Sequence, residues 1–370
     1  MKKNLRILLL GLVIVACSSD SQAEGEEEQK DLPFEVTVIY SEEEHEFQLD
    51  VHKNGTMAAP IDLTNELGLP SGPYIKILDD LVTYSTRIPE TSFWQKNMTT
   101  NEILVEAPFC TALGTQQSNF VSNSLNYSVA LIVIGDYTGE GWDSYANVYS
   151  YQDDECHYIS LGLGEFTGAA IYNETLLVLG RGATGGNTKI DFVDLGTMQV
   201  YDSLDKEFYY ATVIDGLLYL FTSPSVYEVR NLATLELQTT VNMEFSLNLG
   251  TKFFDPNRAG TKIEFQVGYP QPSPIANGPG IFDISSGDAI RNNLVLFDVR
   301  QNLLEQVDDF NGTLPTYALD VANEIIVVGF SRTNPSGTSD LGGIVFTDFE
   351  GNIMDVVELE HVPRNIVIKD

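Results

Sequence analysis

An all-β ring built from repeated four-stranded units is the fold this sequence predicts. Three observations lead there: one compact run of four strand-like pieces, the return of that unit along the chain, and unequal leftovers at its two ends. The clearest unit runs from Phe208 to Val241 and splits into FYYATVI, LLYLFTS, VYEVRNL and LELQTTV. Each piece is rich in β-branched and aromatic residues, which favour strands. Asp215-Gly216, Ser223-Pro224-Ser225 and Ala233-Thr234 supply the turns between them. A four-stranded antiparallel unit of this size exposes two apolar faces and two edges, so it is not stable alone. Copies stacked around an axis cover both faces, and that is the logic of a β-propeller blade.

Taken in order, the chain first offers three pieces, Phe34–Tyr40, Glu46–Lys53 and Met57–Leu63, with Asn54-Gly55 as a hairpin turn between the last two. After the break at 69–73 a first full unit reads Tyr74–Leu78, Leu81–Arg87, Ser92–Lys96 and Glu102–Phe109. A second reads Asn119–Leu125, Ser128–Asp136, Tyr145–Gln152 and His157–Leu163. The third is Thr167–Tyr172, Leu176–Gly180, Lys189–Leu195 and Gln199–Leu204, and the unit at Phe208 is the fourth. The fifth is expected at Leu249–Phe254, Lys262–Tyr269, Asn293–Arg300 and Leu303–Asp309, with 270–291 as an insertion. The sixth is Thr316–Val321, Ile325–Phe330, Gly343–Phe349 and Ile353–Glu360, and a lone strand follows at Pro363–Ile368.

One strand at the C-terminal side and three at the N-terminal side complete one more blade, which predicts seven blades closed by the two ends. Two packed β-sandwiches are the competing arrangement. In a ring, alternate connections of an antiparallel blade fall on opposite faces. The first-to-second and third-to-fourth turns are tight, as at Asn173-Glu174, Asp215-Gly216 and Gly351-Asn352. The second-to-third connections are long, as at 136–144, 181–188, 270–292 and 331–342. The long ones therefore share a face with the blade-to-blade links, and such a face is the expected working surface.

The chain has 370 residues with a formal net charge of −33 and 43% hydrophobic residues. That composition is globular. The charge repels phosphate backbones, so nucleic acid is not an expected partner.

Met1 to Arg6 is basic and Ile7 to Ala16 is an apolar run too short for a permanent span, ending in Val13-Ile14-Val15-Ala16-Cys17. This segment resembles the signal and lipobox of bacterial lipoproteins, with Val15 bulkier than the usual residue before the cut. The resemblance implies removal of residues 1–16 and acylation of Cys17, which anchors a protein without a spanning helix. Residues 17–33 then read as an acidic tether and residues 34–370 as the propeller domain. Acid residues directly after the Cys look like the signal that sends some outer-membrane lipoproteins to the cell surface; a periplasmic location is the alternative. Beyond the signal, the likeness to secreted propeller lipoproteins is architectural. Some such proteins serve as surface accessories to nutrient-uptake transporters, which makes an outer-membrane transporter a partner class.

Site chemistry is sparse. His45, His52, His157 and His361 are scattered, no HExxH or His/Cys cluster exists, and neither a metal nor a cofactor is expected. The loop from Asp136 to Asp143 is only faintly like a calcium loop and lacks the EF-hand spacing. Cys110 and Cys156 sit at comparable places in adjacent units, either as a disulfide or as two separate thiols. The aligned exits of the second strands bring Arg87, Asp136, Tyr137, Arg181, Tyr269 and Arg332 toward one mouth of the ring, with Trp142 and Asp143 on an adjacent loop. Arginines on an acidic body suit a carboxylate- or sugar-bearing ligand, and Trp142, Tyr137 and Tyr269 offer stacking surface. The competing reading pairs those arginines with neighbouring carboxylates. A glycosidase needs two facing carboxylates, and Asp136 is the sole acid at the aligned exits. That shortage favours a non-catalytic binder of a small molecule, glycan or protein over a propeller glycosidase or lyase.

Overall fold

The computed structural model describes residues 30–78, 80–86, 92–106, 109–110, 118–123, 126–135, 142–182, 188–208, 210–247, 260–269, 275–290, 294–336 and 340–369. Its strands form seven separate antiparallel sheets, arranged as the blades of a β-propeller. The closing blade joins β1 (Glu35–Glu42), β2 (His45–Val51) and β3 (Ile61–Asp62) to a strand from the far end of the chain. A short helix, α1 (Leu63–Leu67), leads into blade 1: β4 (Tyr74–Leu78), β5 (Leu81–Thr86), β6 (Ser92–Asn97) and β7 (Ile103–Glu106). Blade 2 is β8 (Ser118–Asn123), β9 (Tyr127–Gly135), β10 (Trp142–Ser150) and β11 (Glu155–Leu161). Blade 3 is β12 (Leu163–Tyr172), β13 (Thr175–Gly182), β14 (Thr188–Asp194) and β15 (Gln199–Asp205). Blade 4 is β16 (Tyr210–Ile214), β17 (Leu217–Ser223), β18 (Val226–Asn231) and β19 (Leu237–Asn242). Blade 5 holds β20 (Lys262–Gly268), β21 (Asn277–Asp283) and β22 (Asp288–Ile290), and the helix α2 (Val295–Gln306) follows it. Blade 6 is β23 (Thr316–Asp320), β24 (Ile325–Arg332), β25 (Leu341–Asp348) and β26 (Ile353–Leu359). The last strand, β27 (Asn365–Lys369), pairs with β1 along Val36–Ile368, Val38–Ile366 and their neighbours.

The ring is thus closed by one late strand and three early ones, as the leftovers at the two ends require. The core lies between the blades. In β13, Leu176 and Val178 pack toward blade 2 while Leu177 and Leu179 pack toward blade 4, so the strand's period of two feeds both seams.

A six-residue turn between third and fourth strands recurs around the ring. It opens on Asn97, Ser150, Asp194, Asn231 or Asp283, whose side-chain oxygen accepts a backbone N–H two or three residues on. The next residue sends its N–H across to the first-to-second turn of its own blade: Met98 to Asp80, Tyr151 to Asn126, Leu195 to Glu174, Leu232 to Gly216 and Ile284 to Thr261, all at 2.7–3.0 Å. Met98, Leu195, Leu232 and Ile284 also bury their side chains. The fifth residue turns left-handed at Asn101, Asp154, Met198, Leu235 and Gly287. These bonds knit the two sets of tight turns into one braced face.

The same bond assigns blade 5 and corrects its expected strands. Thr261 occupies the first-to-second turn, so β20 is the second strand, as expected. The third and fourth strands are β21 and β22, inside the stretch taken as an insertion. The pieces expected as strands at Asn293–Arg300 and Leu303–Asp309 fall largely in α2. Val295, Val299, Leu303 and Val307 recur every four residues and bury one helical stripe. The first strand expected at Leu249–Phe254 lies outside the described residues. Two smaller differences concern the N-terminal side. Of Met57–Leu63 only Ile61–Asp62 is strand: Met57 makes an isolated bridge to Val51, and the strand stops at Asp62, which caps α1 by accepting the Asn65 N–H at 2.9 Å. Residues Lys30 to Phe34 already belong to the folded unit: Leu32 is buried and its N–H reaches Lys53 O at 2.7 Å.

Candidate functional site

The expected working face carries the second-to-third and blade-to-blade connections. Of the residues singled out there, Cys17, Arg87, Asp136 and Tyr137 lie outside the described residues. Trp142 opens β10 and pairs with Gly135, at the end of the blade where the long connection enters. Asp143 follows it and is exposed. Arg181 is also exposed, in cross-strand register with Glu165 on one side and Thr188 on the other.

Two members have structural duties that take them away from an open surface. Tyr269 is buried, and its hydroxyl accepts the Leu296 N–H at 3.0 Å at the start of α2. Burial, and then the charge of Asp298, push its phenol above the ordinary value, against the opposing Leu296 hydrogen bond. It serves as a post under the helix and offers no face for stacking. Arg332 turns outward across its blade and pairs with Glu358 on the outermost strand at 2.7 Å. The pair thus links the second and fourth strands of blade 6.

Cys110 and Cys156 are joined in a disulfide with Cα atoms 5.6 Å apart. The spacing follows from the link out of blade 1. Phe109 packs on Phe93 with ring centres 4.3 Å apart and meets Tyr149 of β10, which delivers the next residue onto β11.

The described part of this face also holds a cluster that single-sequence reading missed. Where the chain ends meet, Arg364 donates to Glu46 at 3.0 Å and to Ser41 at 2.5 Å, and Ser41 donates to the same Glu46 oxygen at 2.8 Å. His45 pairs with Asp62 at 2.8 Å. His361 stacks flat on Tyr40, 4.2 Å between ring centres, and Tyr40 stacks in turn on Phe47. Burial, helped by the charges of Glu42 and Glu360, raises the Tyr40 phenol. Its sequence signal is faint because residues 40–47 and 361–364 meet only when the ring closes. Among the described residues no three His, Cys, Asp or Glu side chains converge to hold a metal. No helix among them is long and apolar enough to cross a membrane.

Several solved structures resemble the chain in architecture. Apo AztD from Citrobacter koseri is 10% identical, covering 91% of this chain and 98% of that one with a TM-score of 0.45. The β-propeller domain of the Trilobed protease from Pyrococcus furiosus, described as having an open velcro topology, is 12% identical over 76% of this chain and 82% of its own, with a TM-score of 0.44. The computationally designed Ika8 protein is 11% identical over 91% and 90%, again at 0.44. No protein-family model matches the chain, and no curated protein matches its sequence. At these identities the likenesses concern fold alone.

Proposed function

We propose that this chain is a lipid-anchored, non-catalytic propeller of the outer membrane, held by acyl chains on Cys17. Its long-connection face binds a small molecule, a glycan or a protein such as an outer-membrane transporter. The observation that carries the reading is the place where the N-terminal segment joins the ring. Lys30 pairs with Asp355 of β26 at 2.6 Å and packs against Gly55, beside the tight turns and opposite the long connections. The thirteen residues 17–29 ahead of Lys30 span at most about 45 Å. An anchor attached there favours the braced face toward the bilayer, with the long connections facing outward. Trp142, Asp143 and Arg181 then stand on the outward side.

Two experiments test this. Cys17→Ala should move the protein from the membrane to the soluble fraction; retention in the membrane removes the anchor from the reading. A mild-detergent pull-down of the acylated protein should bring a stoichiometric partner that Arg181→Ala and Trp142→Ala release without changing thermal stability. Turnover of a glycan by the soluble domain would instead establish an enzyme.

A further inference from the structure

Among the described residues, three buried polar atoms in the seam between the closing blade and blade 1 have no hydrogen-bond partner. Thr37, Ser41, Glu46, Gln48 and Asp50 share one face of β1 and β2, on the side where Ile39 packs with Tyr84 and Trp94. Most polar groups on that face are answered. Asp50 accepts from Thr37 at 2.5 Å and from Lys369 at 2.9 Å. Gln48 donates its Nε2 to both Asp50 oxygens, at 3.1 and 3.2 Å. Glu46 Oε1 accepts from Ser41 and Arg364. Glu46 Oε2, Gln48 Oε1 and the Tyr84 hydroxyl are buried and have no hydrogen-bond partner among the described residues.

The orientation of each group is set. Asp50 presents only acceptors, so the Gln48 amide must turn its nitrogen there and its oxygen away. Burial first, and the Glu46 charge second, push the Tyr84 phenol far above its ordinary value, so its O–H stays a donor. The seam therefore offers two acceptors and one donor. Each destabilises the fold if it is left dry. A molecule that donates two hydrogen bonds and accepts one satisfies all three, and that is the valence of water.

We propose that one ordered water molecule is bound in this seam, donating to Glu46 Oε2 and Gln48 Oε1 and accepting from Tyr84. The closing blade is then joined to blade 1 through a hydrated contact as well as through Leu63, Leu67 and Trp94. A sodium or ammonium ion is disfavoured, because the Tyr84 O–H would have to point away from it and Arg364 already balances Glu46.

Two measurements decide the matter. A crystal structure at a resolution that shows ordered water, grown with rubidium in place of sodium, should give one peak about 2.6–3.2 Å from all three atoms. That peak should carry no anomalous signal. An anomalous peak, or a direct hydrogen bond between Tyr84 and either acceptor, overturns the proposal. The second is a double-mutant cycle of Tyr84→Phe and Gln48→Leu, read by amide exchange in β1 and β2. Each single change should speed exchange about tenfold, and the pair should be clearly non-additive because both act through one water. Additive effects, or unchanged exchange in both single variants, overturn it equally.

Discussion

Ile366→Ala is the sharpest test of how the ring is shut. Ile366 sits on β27 with 4% of its surface exposed, enclosed by Val36 and Val38 of β1 and by Ile344 and Val327 of blade 6. The substitution removes three carbons, worth about 2.4 kcal/mol at about 0.8 per buried methylene. The remaining cavity adds to this, within the range of about 2–5 kcal/mol seen for such changes. A five-residue strand relaxes more readily than a central one, so about 2–4 kcal/mol is expected. The assay is urea unfolding together with hydrogen exchange read peptide by peptide. Its midpoint should fall by the corresponding amount, and exchange should accelerate first in β1 and β27 while β13 and β14 stay protected. Ile368→Ala, at a half-buried site, should cost less. A loss below about 1 kcal/mol for Ile366→Ala, or acceleration spread evenly over all blades, would refute the reasoning.

Three further outcomes are expected. Gly343→Ala places a Cβ 2.1 Å from the ring of Phe330, its cross-strand neighbour, and should cost about 1–3 kcal/mol in thermal or urea unfolding. Reducing Cys110–Cys156 opens a loop of 46 residues; chain entropy sets an upper figure of about 4 kcal/mol, measured as the difference in urea midpoint with and without reductant. Asp50→Asn should destabilise the closing blade in a pH-dependent way. Burial alone would raise the Asp50 carboxyl, yet hydrogen bonds from Thr37, Lys369 and Gln48 outweigh it and hold the group below the ordinary range. Its stabilisation is therefore complete above the unfolded value of about 4 and disappears as pH falls through the lower folded value. The melting curves of the two proteins should differ at neutral pH and converge in acid; a gap that widens in acid would show the sign to be wrong.

Much of the ring was legible because blades advertise themselves locally. Alternating β-branched and aromatic residues with Asp-Gly or Asn-Gly turns locate β16 to β19 within two residues of their bounds, and the count of leftover strands anticipates β27 beside β1. The error in blade 5 has an equally local cause. Val295 to Gln306 contains short apolar pairs that imitate strands, and Leu294 offers no side-chain cap to announce a helix. The spacing 295, 299, 303, 307 carried the helical signal. The turn that opens on Asn97, Asp194 or Asn231 was also readable as a recurring Asx followed by an apolar residue, a pattern that links the turn at Ala233-Thr234 to its copies elsewhere in the ring. Site residues were harder. Nothing in the neighbourhood of Tyr269 reveals that a helix rests on its hydroxyl, and no local pattern links Glu46 to Arg364, 318 positions away. Such contacts are products of closure, which a window on the sequence does not see.

That closure has a consequence for how the chain is made. Arg364 and Ser41 touch across 323 residues of intervening chain. At about 5–20 residues per second, the partner of β1 is synthesised about 15–65 s after β1 itself. Throughout that interval the edge of β1 is unpaired, in a chain whose other blades are already able to form. The run Glu42-Glu43-Glu44 at the end of β1 discourages strand addition by a neighbouring molecule at that edge, and the shortness of β3 does so at the opposite edge of the blade. Maturation of the ring is thus timed by the arrival of five residues, and any factor that shields nascent edges has its natural client in the half-finished closing blade.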